Sequence, residues 1–119
     1  MTLKTVRLEL ARSKEFPAGS ARHGYELRVP LTADGHLDAE AFSAHKGDCR
    51  VRRFWIGEDD RRGELIRTRN HAWAISYMPG SDDDEAIFKL DRHLFRMNEY
   101  ITITEPDGES HTFRVTSVS

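Results

Sequence analysis

Cysteine is almost missing: of 119 residues, only Cys49 carries a thiol. One cysteine forms no bridge within its own chain, so a disulfide scaffold is excluded and nothing points to an oxidising compartment. Proline is sparse, at 4 residues, too few for a collagen-like or polyproline chain. No uninterrupted apolar run exceeds a few residues, which excludes a membrane-spanning helix. The stretch from Met1 to Leu10 is broken by Lys4, Arg7 and Glu9, so it lacks the apolar segment of a secretory signal. The expected location is the cytoplasm, with no membrane partner. An excess of one charge is also lacking. Lys and Arg number 18 and Asp and Glu 20, a net charge of −2, which excludes a uniformly basic nucleic-acid coat.

What is present suits one globular domain over residues 1–119. Hydrophobic residues make up 38 %, ordinary once glycine is added, and the length allows a single core. The dominant spacing is two. Val6, Leu8 and Leu10 alternate with Arg7 and Glu9; Tyr25, Leu27, Val29 and Leu31 alternate with Glu26, Arg28 and Pro30. Trp73, Ile75 and Tyr77, then Ile101 and Ile103, then Phe113 and Val115 repeat the pattern. Successive strand side chains point to opposite faces, so each run reads as a half-buried strand.

Turn chemistry separates the runs. Glu105-Pro106-Asp107-Gly108-Glu109 reads as a hairpin, Gly57 to Gly63 as a longer hairpin loop, and Arg69-Asn70-His71 as a tight one. Pro79-Gly80-Ser81 opens an acidic loop, Asp82 to Glu85, before a short strand at Ala86–Leu90. Asp91-Arg92 turns the chain again ahead of a strand at His93-Leu94-Phe95. Leu37, Ala41, Phe42 and His45 break the period and predict a helix over Asp38–Lys46, capped by Asp38 and stopped by Gly47. The sum is an all-β chain of eight or nine short strands with one short helix inserted. A small antiparallel meander β-barrel hides the strand edges best, with a two-sheet β-sandwich as the alternative.

Cys49 to Ile56 does not keep register. A bulge at Arg52-Arg53 would bury Cys49, Val51, Phe54 and Ile56 together and turn Trp55 outward. Without it, Trp55 joins the Cys49 face and draws Arg53 inward. Either way an indole and a guanidinium share a surface. With the strands that follow, this gives a candidate ligand-binding surface of Trp55, Trp73 and Tyr77 rimmed by Arg53, Arg67 and His71. The expected function is a non-catalytic binding domain without a cofactor. Its partner would be a small anionic or aromatic ligand, another protein surface, or a second copy of the chain.

Two other readings stay open. Arg50, Arg52, Arg53, Arg61, Arg62, Arg67 and Arg69, interleaved with Phe54 and Trp55, suit a single-stranded nucleic-acid binder, although Glu58, Asp59, Asp60 and Glu64 offset much of that charge. Asp91 and His93, with a histidine from another strand, suit a metal-assisted hydrolase. Other chemistry is weaker. The acidic run lacks the alternate-oxygen spacing of a calcium loop, and Gly47-Asp48 separates His45 from Cys49. Serine-hydrolase, phosphate-loop, dinucleotide and kinase motifs are absent from the sequence.

Overall fold

The computed structural model describes residues 3–45, 47–67, 73–77, 85–88, 94–104 and 108–119. Among the described residues the five alternating runs and the segments between them form eight strands: β1 (Leu3–Leu10), β2 (Ser20–Pro30), β3 (Arg50–Trp55), β4 (Glu58–Arg67), β5 (Trp73–Tyr77), β6 (Glu85–Phe88), β7 (Tyr100–Thr104) and β8 (Ser110–Val118). One helix, α1 (Ala39–Ala44), lies between β2 and β3. Each strand pairs antiparallel with the next, and β8 returns to β1, so the sheet closes into a barrel rather than splitting into a sandwich. Closure is tight at the termini: Thr5 and Ser119 exchange both backbone hydrogen bonds, at 2.9 and 3.0 Å. The β6–β7 seam is the narrowest among the described residues, with Ile87 opposite Thr104 and Phe88 opposite Ile103.

The inward-facing residues described on the strands fill the interior. Val6, Leu8, Tyr25, Leu27, Val51, Leu65, Ile75, Ile101, Ile103, Phe113 and Val115 form one buried cluster. The barrel is thus a packed core and not a hollow cup, which confines any ligand to its ends or its outer face. Phe42 of α1 and Phe95 plug one end, where the Phe42 ring meets Trp73 edge-on at 4.9 Å.

Three details differ from the sequence expectation. The run Glu58 to Arg62 is strand, not loop, because Ile56-Gly57 already makes the turn, with Gly57 at φ 83°. Its charges stay exposed and pair across to β3, Asp60 with Arg52 and Glu58 with Arg53. Leu94 and Phe95 are not strand: the Phe95 N–H donates to the Gly35 carbonyl at 2.8 Å and the ring serves as an end plug. Finally, α1 is shorter than Asp38–Lys46. Asp38 caps it as expected, accepting from the Ala41 N–H at 3.1 Å, but His45 already donates to the Phe42 carbonyl, a tightened last turn. The expected turns at Arg69-Asn70-His71, Pro79-Gly80-Ser81 and Asp91-Arg92 lie outside the described residues.

Gly24 permits a close approach of β1 and of the Phe54 ring. A β-carbon there would stand 1.9 Å from the Leu8 carbonyl oxygen and 2.9 Å from Cζ of Phe54. Gly24→Ala is therefore expected to destabilise the fold by about 3 kcal/mol or more, the upper range for overpacking, read as a lowered urea midpoint.

Candidate functional site: the ring-lined mouth of the barrel

The site starts from the register of β3. Against β2 the strand runs without a slip: Leu27 faces Val51, Tyr25 faces Arg53, and His23 faces Trp55. The expected bulge at Arg52-Arg53 is absent. The irregularity falls one step later, between Arg53 and Trp55, and on the β4 side only. Arg53 and Trp55 therefore share the inward face of Cys49 and Val51, the arrangement expected without a bulge.

Phe54 makes the straight register tolerable. Its ring is only 8 % exposed although it sits on the outer face. It lies over the bare backbone of Gly24, and the Arg7 and Arg52 guanidinium carbons cover it, 4.4 and 5.2 Å from its centroid. Burial outside the barrel removes the hydrophobic reason for a bulge. Ile56 stays in the turn, 52 % exposed, instead of joining a buried face.

At the end of the barrel opposite α1, the inward alternation of β2, β3 and β8 ends in a set of rings. Trp55 meets His23 edge-on at 4.5 Å and lies 5.4 Å from His111. Phe16, from the 11–19 loop, closes on His23 at 4.7 Å. The Arg53 guanidinium sits 4.3 Å from the Trp55 ring centroid, and its Nη1 donates to Glu58 at 3.4 Å. Beside the half-buried indole opens a cavity of about 500 Å³, bounded by Phe16, Trp55 and His111 with Arg12, Lys14 and Glu109 at its edge.

His23 is the most enclosed of the titratable groups at this end, 5 % exposed, with Nδ1 2.6 Å from the Ser20 hydroxyl. Burial, and then the charge of Arg53, hold its pKa below the ordinary 6.5, so the ring is neutral near pH 7. His23 and His111 were legible as site residues only by strand parity. His23 falls in step with Tyr25 and Leu27, and His111 with Phe113 and Val115.

The sequence candidates separate into two groups. Arg53 and Trp55 meet at the mouth. Arg67 and Trp73 meet at the α1 end, where the guanidinium lies 4.7 Å from the ring centroid of an indole only 1 % exposed. Along β4, Glu58 is level with Trp55 and Arg67 with Trp73. The intervening residues make roughly 30 Å of strand. The surface expected to join both tryptophans is therefore not formed: β4 carries the chain from one end to the other between them. The backbone of Tyr77 pairs with Gly63, near the middle of β4. His71 lies outside the described residues.

The basic segment is neutralised in part, at Arg52 and Arg53. Glu26 accepts from Arg52, which also reaches Asp60 at 2.8 Å, while Arg7 bridges Glu9 at 2.8 Å and Glu26 at 3.3 Å. Burial alone would raise the Glu26 carboxyl, but the Arg52 hydrogen bond, its charge and that of Arg7 hold it below the usual carboxylate range. Cys49 is buried, and its Sγ lies 3.7 Å from the His45 carbonyl rather than its imidazole. Burial, helped by Asp48, pushes the thiol pKa up. Among the described residues no three His, Cys, Asp or Glu side chains gather as metal ligands. Asp91 and His93 lie outside the described residues. No protein-family model, no curated protein and no solved structure matches the chain.

Two measurements follow from these environments. The depressed His23 pKa means the unfolded chain takes up its proton first as pH falls. Its contribution to stability is complete above pH 6.5 and is lost progressively below it. His23→Phe should flatten the fall in stability just below that pH in chemical denaturation. Cys49 should resist an aromatic disulfide reagent in the native state and react fully in denaturant; rapid native labelling would contradict its enclosure.

Proposed function

We propose that the protein is a non-catalytic binding domain that holds a small anionic aromatic molecule at the barrel mouth, against Trp55 and His111. The observation that carries this reading is a half-buried indole bordering an open cavity of about 500 Å³, a size within the usual range for small-ligand sites. The filled interior leaves the mouth as the concave place where a ligand can meet aromatic rings. Arg12 and Lys14, both exposed on the 11–19 loop, place positive charge at its edge beside the carboxylates of Glu15 and Glu109, so the lining offers both signs and the cations can meet an anionic group locally. Arg53 stiffens the indole by stacking on it and contributes through that contact.

Ser20 and His23 are in hydrogen-bond contact, but among the described residues no carboxylate bonds the other imidazole nitrogen to orient the ring. Pairing of Arg7 and Arg52 with carboxylates removes much of the charge that a nucleic-acid groove would need.

Anilinonaphthalene sulfonate, an anionic aromatic fluorophore, is a direct probe. Trp55→Phe should weaken its binding by roughly tenfold, whereas Trp73→Phe should leave affinity unchanged because that indole is enclosed at the other end. Equal binding by both variants would remove the mouth as the site.

A further inference from the structure

We propose a second site on the outer face of β2, β3 and β4: an anion site for a dianionic phosphate group carried by a small molecule. Strand alternation that sends Leu27, Val51 and Leu65 inward sends Arg28, Arg50 and Arg62 outward. The three line one groove of about 430 Å³, together with the bonded pair Glu26 and Arg52, and with Glu64, Thr5 and Ser76.

Unlike Arg52 beside them, these arginines have no carboxylate bonded to them among the described residues. Glu26 and Asp60 are already committed to Arg52, and Glu26 also to Arg7. Among the described residues Arg28, Arg50 and Arg62 form no ion pair. Glu64 faces Arg50 across the strands without bonding to it. Arg62 stands directly opposite Arg52, a like-charge cross-strand pair that costs stability unless a counter-charge lies nearby. Four guanidinium groups (Arg28, Arg50, Arg52 and Arg62) against the carboxylates of Glu26 and Glu64 leave a local excess of two positive charges, matched by one phosphate dianion. The Thr5 and Ser76 hydroxyls can donate to its remaining oxygens. The excess is compact, and β4 carries Asp59 and Asp60 just beyond Arg62, so a long polyanion would meet carboxylates.

Inorganic phosphate is the probe, added to isotopically labelled protein at constant ionic strength and followed by backbone amide shifts. The expected result is saturable movement at Arg28, Arg50 and Arg62 with the Trp55 and His111 amides unmoved, which separates this site from the mouth. The double variant Arg28→Gln/Arg50→Gln should bind phosphate at least roughly tenfold more weakly, as expected on losing charge-assisted hydrogen bonds. Both positions are exposed, so the variant should keep the wild-type unfolding midpoint. Shifts at the mouth alone, or equal shifts from chloride at matched ionic strength, overturn the proposal. Tighter binding of a single-stranded oligonucleotide that phosphate does not displace overturns it in favour of a nucleic-acid surface.

Discussion

Closure of the sheet is the constraint from which the other features follow. A flat eight-stranded sheet would leave two rows of backbone donors and acceptors open to other chains. Here β1 is bonded to β2 on one side and to β8 on the other, so the chain's two ends lock each other. A ring this small has an interior that side chains fill, and Tyr25, Phe113, Leu27 and Ile101 do so. A filled ring leaves its ends and its outer wall for recognition. Phe42 and Phe95 occupy one end with hydrocarbon; the other carries imidazoles, an indole and a guanidinium.

The wall at Gly24 shows how a single missing side chain redirects a strand. Without a β-carbon there, β1 and β2 approach closely and the Phe54 ring settles outside, roofed by two arginines. Those arginines stay in place because Glu26 binds both. Phe54 is thus buried without entering the core, and β3 keeps straight pairing with β2. Straight pairing in turn brings Arg53 inside and stacks it on Trp55. One glycine, one ring and one carboxylate together set the geometry of the mouth.

The same parity divides the arginines by role. Those bonded to Glu26 or Glu58 are tied down and serve packing, covering Phe54 or Trp55. Those one row further along β2 and β3, Arg28 and Arg50, bond to no carboxylate among the described residues, although Glu64 lies opposite Arg50. Clustering in sequence therefore overstates clustering of usable charge, since each strand reversal reassigns its members to different faces and different carboxylates.

The order of local spacings sufficed for much of the architecture. A period of two marked five of the eight strands, the i, i+4 spacing behind Asp38 marked the helix, and short turns implied a meander. These signals are local, because strand parity and capping depend on residues a few positions apart. The site did not have that character. Whether Phe54 enters the core depended on Gly24, thirty positions earlier; whether Trp55 meets Trp73 depended on the ten-residue β4 running between them. The rings around Trp55 come from β2, β8 and the 11–19 loop, joined only once the barrel closes. Sequence alone therefore determined the strands and their inward faces, because alternation is written residue by residue. The tertiary structure decided which aromatic and charged groups meet, because that depends on which strands become neighbours and at what register.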